Sequence, residues 1–206
     1  MSFSQHYHDE DERRKWQNPE EILEEVGLRE GHTFIDIGCG EGFFSLAAAR
    51  LVGPKGKVVG LDINDEAIKN LKERMTNEGI HNSSFVVSKA EEAELCDACA
   101  DFVFFGIDLH DFEDPEKVLI NARKMLKDGG KLVDLDWKKK IMSKGPPVWI
   151  RFSEAHASKL IEDAGFKVES INDSGEMHYL IIARKMSGPT GIRTQDFLLA
   201  KQAIFR

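Results

Sequence analysis

Two hydrophobic periods alternate along this chain. Short runs at residues 33–37, 57–61, 84–87, 102–107 and 131–137 are rich in apolar residues. Between them, residues 43–52, 65–78 and 114–127 carry apolar side chains at helical spacing, as in Ile68, Leu71 and Met75. Strands apolar on both faces and separated by helices predict a parallel sheet covered on both sides. Asn18-Pro19-Glu20-Glu21 predicts a helix start, with an Asn cap, proline in the first turn and acids at the positive dipole end. Ile22, Leu23 and Val26 form its apolar face, and Gly27-Leu28 its stop. The last third reads differently. A helix over 153–164 stops at Gly165, and strands over 167–171 and 178–184 flank Asn172-Asp173-Ser174-Gly175, which predicts an antiparallel hairpin. Gly129-Gly130 reads as the turn that opens the fifth strand.

The bulk numbers narrow the class. With 206 residues the chain is long enough for one domain with a real core. Its net charge of −8 repels polyphosphate backbones, so nucleic acid is not an expected partner. The polar, acidic N-terminus does not read as a secretion signal, and no apolar run approaches the length of a membrane span, so no membrane partner is expected. Cys39, Cys96 and Cys99 cannot all pair with one another. A reducing, cytoplasmic setting is the simpler expectation.

The chemistry concentrates in the turn after the first strand, Asp36-x-Gly38-x-Gly40-x-Gly42. Glycines there let backbone approach a ligand, and the next helix turns its free N–H groups towards a negative group such as a carboxylate. Asp62, ending the second strand, stands where a carboxylate can accept both hydroxyls of a ribose. A dinucleotide fingerprint would need its third glycine where this chain has Phe43, and a pyrophosphate would be repelled by Asp36 and Glu41. A terminal ammonium and carboxylate would suit both features. The turn alone leaves a nicotinamide oxidoreductase open as an alternative.

Taken in order, Asp36-Ile-Gly-Cys-Gly-Glu-Gly42, Leu61-Asp62, Ala90-Glu91-Glu92, the run from Asp101 to His110 with Asp114-Pro115, and Leu126-Lys-Asp-Gly-Gly-Lys-Leu-Val133 resemble the motifs of class I S-adenosylmethionine-dependent methyltransferases. The small branch related to quinone-biosynthesis C-methyltransferases is the most similar, over residues 19–186. The resemblance implies a Rossmann-like three-layer αβα sandwich whose mostly parallel seven-stranded sheet ends in an antiparallel hairpin. It implies S-adenosylmethionine as cofactor, with Gly38, Cys39, Gly40 and Gly42 at the methionine end and Asp36 near the ammonium. By the same resemblance Asp62 holds the ribose, Ile63 packs on adenine, Ala90 and Glu91 border the adenine edge, and Gly106 and Ile107 close the floor under the sulfonium. Lys89 departs from the pattern, since relatives often place an acceptor there and a lysine only donates. A non-catalytic cofactor-binding subunit remains a further alternative.

Transfer of an activated methyl needs mainly alignment. Where the acceptor needs deprotonation, His110 and Asp108, which follow the fourth strand, are the candidate base machinery, against the competing reading of a histidine that packs the loop. The acceptor is expected to be a small molecule, anionic or aromatic, because Lys138, Lys139, Lys140, Lys144, Trp149 and Arg151 follow the fifth strand. Cys96-x-x-Cys99 lacks a second pair and reads as a loop coincidence, so no metal is expected. Residues 1–18 read as an arm in which Arg13-Arg14-Lys15-Trp16 either folds over the cofactor mouth as a lid or is a solvated charge run. Residues 187–206 continue no element and resemble peptides read when a frame runs on into a transfer-RNA gene, so they are set apart as a non-core tail.

Overall fold

The computed structural model describes residues 10–186. The strands are β1 (Thr33–Ile37), β2 (Lys57–Asp62), β3 (Ser83–Val87), β4 (Ala100–Gly106), β5 (Leu126–Trp137), β6 (Phe166–Ser174) and β7 (His178–Lys185). They form one seven-stranded sheet in the order β3-β2-β1-β4-β5-β7-β6. β1 to β5 run parallel to one another, and β7 is antiparallel to both neighbours. The chain crosses from one half of the sheet to the other between β3 and β4, so β1 and β4 lie side by side at the point where strand order reverses. Folds of this class bind ligands in the crevice outside that point.

The helices are α1 (Glu10–Arg14), α2 (Pro19–Glu25), α3 (Phe43–Val52), α4 (Asp65–Asn77), α5 (Pro115–Met125) and α6 (Glu154–Asp163). The side chains of α2, α3 and α4 build the core on one face of the sheet around Phe34, Phe44 and Phe104. Those of α5 and α6 build the other around Ile35, Phe105 and Ile181. Local chemistry sets the boundaries. Asn18, Asn64, Asp114 and Ser153 cap their helices by accepting backbone N–H groups of Glu21, Ala67, Lys117 and His156. At the end of α2, Gly27 turns left-handed and the Leu28 N–H reaches back to the Leu23 carbonyl, burying Leu28 beneath the helix.

The structure corrects several expectations. β3 is an edge strand with only Phe85 buried and Val86 and Val87 exposed, so its apolar run does not mark a strand covered on both faces. Gly129-Gly130 does not open β5 but lies inside it, where the register against β4 shifts, with Leu126 opposite Ala100 and Lys131 opposite Phe102. The hairpin turn falls at residues 175–177, because Asn172, Asp173 and Ser174 pair with β7. Cys96 and Cys99 are joined by a disulfide. Ala98 between them adopts a left-handed conformation that folds the loop back on itself and leaves the Cα atoms 6.0 Å apart, within disulfide range. Among the described residues no helix is long and apolar enough to cross a membrane. The expectations for residues 1–9 of the arm and for residues 187–206 lie outside the described residues.

Candidate active site

The turn between β1 and α3 is shaped by three successive left-handed glycines. Gly38, Gly40 and Gly42 have φ of 74°, 50° and 89°. The Gly38 and Cys39 N–H groups both donate to the Leu61 carbonyl, which ties the turn to the end of β2. Gly38 admits no side chain, since a Cβ there would lie 1.8 Å from the Asp108 carboxyl. At Gly42, the N-cap of α3, a Cβ would lie 2.2 Å from Leu71 of α4. The spacing legible in the sequence thus records two close approaches, one to the next helix and one to the loop after β4.

Around this turn the carboxyl edge of the sheet opens into two compartments that share Gly38 and Asp62. One, of about 340 Å³, is lined by Asp62, Ile63, Lys89, Ala90, Glu91 and Phe112, among others. The other, of about 220 Å³, is lined by Arg13, Asp36, Gly38, Gly40, Glu41 and Gly106, among others. A larger and more open depression of about 580 Å³ lies at the far edge, among Gly53, Pro54 and Gly79, and holds none of the candidate chemistry.

Asp62 spans the junction. Its Oδ2 accepts the Gly40 N–H and its Oδ1 the Asn64 N–H, both at 2.8 Å. Each oxygen keeps a lone pair for a diol. Ile63 is 66% exposed, an apolar side chain left open on the compartment wall. Ala90 is buried in a 3-10 turn, and the Asn121 amide donates to its carbonyl at 3.4 Å. Glu91 is partly committed elsewhere, because its Oε1 accepts the backbone N–H groups of Glu113 and Asp114 and so steadies the entry to α5. The Lys89 ammonium faces the Glu113 carboxylate at 3.3 Å.

In the smaller compartment Asp36 is buried and its Oδ2 accepts the Ser45 hydroxyl at 2.6 Å. Burial raises its pKa to about 7, with the Ser45 hydrogen bond and Arg13 working against that rise and Asp62 adding to it. The Cys39 side chain turns into the core, and burial pushes its thiol far above the ordinary range, so only its backbone serves the cleft. Gly106 ends β4 with no room for a side chain, since a Cβ would lie 3.0 Å from Phe104 and 3.1 Å from Phe44.

The loop after β4 is bent by Ile107, which holds φ at 79° while its N–H donates to the Leu135 carbonyl. A branched residue in that region costs roughly 1–3 kcal/mol, and such strain gathers at working sites. The bend sends Asp108 under Gly38. Both Asp108 carboxyl oxygens are buried without a hydrogen-bond partner, and burial, then Asp36, Asp136 and Asp134, raises its pKa well above the carboxylate range. Burial and the neighbouring acids thus favour the protonated form of Asp108. His110 is not a wall of the cleft, with a side chain only 1% exposed. Its Nδ1 lies 2.8 Å from Asp136 Oδ2, and its Nε2 3.3 Å from Oδ1 of Asp111, which does line the larger compartment. Burial pulls the imidazole pKa down, but Asp136 and Asp111 outweigh it and the net shift is upward.

Asp134 and Asp136 do not figure among the sites expected from sequence. They alternate on β5 and share a face, Asp136 accepting the Trp137 N–H as well as facing His110. Asp134 is buried with no hydrogen-bond partner, and its carboxyl is pushed well above the ordinary range by burial and by Asp136. The signal was legible as Asp-Leu-Asp inside an otherwise apolar strand, where two acids on one buried face cost too much to be incidental. The arm supplies the remaining parts. Glu10 and Arg13 of α1 line the smaller compartment. The Arg13 guanidinium lies 4.0 Å from the Phe43 ring centroid, and its Nε donates to Gln17. Trp16 stacks on His178 and leans on Trp137, which seats the arm on the sheet edge.

Together these parts fit an adenosyl amino acid. A small cradle of backbone and acid meets a larger compartment through a carboxylate, and two orphaned buried oxygens sit beneath the cradle. Comparison with known proteins agrees. A methyltransferase-domain family model matches residues 28–179. The ubiquinone/menaquinone biosynthesis C-methyltransferase UbiE of Pasteurella multocida is 31% identical over 161 residues, 78% of this chain and 58% of that protein. A demethylmenaquinone methyltransferase of Listeria monocytogenes is 30% identical over 122 residues, 59% of this chain and 51% of that protein. This chain thus spans little more than half the length of those two relatives. The crystal structure of a SAM-dependent methyltransferase from Aquifex aeolicus superimposes with a TM-score of 0.83 at 31% identity, covering 89% of this chain and 98% of that one. The chain belongs to the class I S-adenosylmethionine-dependent methyltransferases.

Proposed function

We propose that this chain transfers a methyl group from S-adenosylmethionine to a small aromatic acceptor of the quinol class. The observation that carries the reading is the junction at Gly38 and Asp62, where an amino-acid-sized compartment meets a nucleoside-sized one. Asp36 and the glycine turn take the methionine end, with Arg13 set to pair with its carboxylate. Asp62 takes the ribose, Ile63 the adenine face, and Ala90 and Glu91 its edge. Gly106 and Ile107 form the floor. When bound, the cofactor supplies a methyl already activated on sulfur. The protein's task is to align the acceptor and keep water out, which can supply several kcal/mol of the barrier. The printed functions of the quinone-biosynthesis relatives support the acceptor class.

Of the two candidate catalytic groups, Asp108, buried beneath Gly38 with both oxygens unpartnered, is suited to hydrogen bonding at the cofactor's charged end rather than to taking a proton from the acceptor. His110 stands behind Asp111, which borders the nucleoside-sized compartment, so the Asp111–His110–Asp136 row serves as base only for an acceptor that reaches that border. An imidazole raised above 6.5 accepts a proton only once pH exceeds that raised value. The rate of methyl transfer therefore rises with pH through it. Asp136→Asn removes the influence that raises the imidazole and moves this acid limb to lower pH. Transfer of a labelled methyl to a dihydroxybenzene acceptor, followed against pH, is the test. A His110→Ala protein that keeps both the parental rate and the parental acid limb would remove the base from the proposal, and no transfer to any such acceptor would reject the acceptor class.

A further inference from the structure

The segment after β5 has a composition unlike the rest of the molecule. Residues 138–151 contain Lys138, Lys139, Lys140, Lys144 and Arg151 and not one acid, in a chain whose net charge is −8. The segment is not loosely arranged. Arg151, almost wholly buried, donates from its Nε and both terminal nitrogens to the carbonyls of Lys138, Lys140, Lys144 and Pro146, so the loop is wrapped around one guanidinium. Its side chain also packs against the Trp137 ring.

That wrapping turns the loop's large apolar side chains outward. Ile141 is 93% exposed, Trp149 76%, and Ile150 is also exposed, beside the exposed Lys139, Lys140 and Lys144. Three exposed apolar side chains held on an ordered loop and rimmed by cations are costly in water unless something covers them. They stand at the carboxyl edge of the sheet, the edge at which the cofactor cleft opens. Indoles and aliphatic side chains ringed by lysine match the interfacial layer of an anionic bilayer, where each cation near the surface gains from the negative potential and the rings sit among headgroups. The acidic remainder of the molecule is repelled by the same surface, which fixes the orientation with the loop inward.

We propose that residues 138–151 dock this protein on the surface of an anionic lipid bilayer, with Ile141, Trp149 and Ile150 entering the headgroup region and Lys139, Lys140 and Lys144 meeting lipid phosphates. This replaces the expectation of no membrane partner with peripheral contact and requires no spanning segment. It stands independently of the acceptor proposed above.

The full chain is sedimented with vesicles of phosphatidylcholine alone and of phosphatidylcholine with phosphatidylglycerol. The expected result is binding to the anionic vesicles, weak binding to the neutral ones, and a blue shift of tryptophan emission that Trp149→Ala abolishes. The double reversal Lys139→Glu/Lys140→Glu is expected to weaken anionic binding at least about 25-fold, at roughly fivefold for each of the two cations lost. Lys55→Glu, at the opposite edge of the sheet, leaves binding unchanged. No binding to anionic vesicles overturns the proposal, as does equal binding by the double-reversal protein. A dimer in sedimentation velocity that Trp149→Ala dissociates, without vesicle binding, assigns the patch to a second copy and also overturns it.

Discussion

Gly38 shows how much a single residue can decide. Its left-handed φ and the Asp108 carboxyl 1.8 Å from any added Cβ are two separate obstacles to a side chain. Gly31 has a similar φ of 85° but open space around it. Gly31→Ala is therefore expected to cost about 1 kcal/mol of backbone strain, and Gly38→Ala clearly more, with loss of cofactor binding. Thermal unfolding and titration of the two proteins check this; equal effects would mean that Asp108 yields freely. Asp36 carries a pH signature. With a free pKa near 7, raised first by burial, it must be ionised to meet an ammonium. Affinity is thus full above about pH 7 and falls as pH drops below it, by about tenfold at pH 6 relative to the plateau. Asp36→Asn is expected to flatten that profile, and a flat profile in the parent protein would exclude Asp36 as the partner. The glycines, Asp36 and Asp62 were legible because each occupies a position that few other residues tolerate. Asp134 and Asp136 left a signal, two acids two apart in a buried strand, but the partners of Asp136, His110 and the Trp137 N–H, emerge only from the fold.

At the scale of elements, the alternation of apolar runs with helical periods sets out five of the seven strands within two residues at each end. The exceptions are the fifth, which starts five residues early, and the sixth, which ends three residues late. Gly129-Gly130 carries the sequence signature of a turn, yet the register shift against β4 absorbs it within the strand. The hairpin was anticipated, but Asn172-Asp173-Ser174 prolongs β6, because pairing with β7 outweighs weak strand propensity. Nothing in the period of β3 distinguishes an edge from a centre, which topology alone decides. Of the arm, Glu10 and Arg13 of α1 line the smaller compartment, while Trp16 packs against the sheet. Trp16 joins Trp137 and His178 in one stack, and burial with nearby Arg13, Arg151 and Lys138 lowers the His178 pKa to about 3, so the ring stays neutral. Trp16→Ala is expected to lower stability by about 2–3 kcal/mol through lost aromatic burial and to weaken cofactor binding as Arg13 loses its anchor. Unchanged affinity in that protein would show α1 to be a bystander.

Across the whole molecule, charge and chemistry are divided by edge. The carboxyl edge of the sheet gathers the cofactor cleft, the buried acids, the arm and the cationic loop, while the acidic surplus is spread over the rest of the chain. Strand order explains this, since the reversal between β1 and β4 is where backbone turns diverge and leave room for a ligand. What a sequence records poorly is convergence. Asp62, Asp108 and Arg13 come from three separate stretches, and only the folded sheet makes them one site. Everything else depends on that site taking an adenosyl amino acid. Isothermal titration of the full chain with S-adenosylmethionine and S-adenosylhomocysteine tests it most directly. Both are expected to bind with one-to-one stoichiometry, and Asp62→Ala to weaken both by about tenfold or more, as befits loss of hydrogen bonds to a charged group. No heat of binding with either ligand, or undiminished affinity in Asp62→Ala, would contradict the assignment of the cleft.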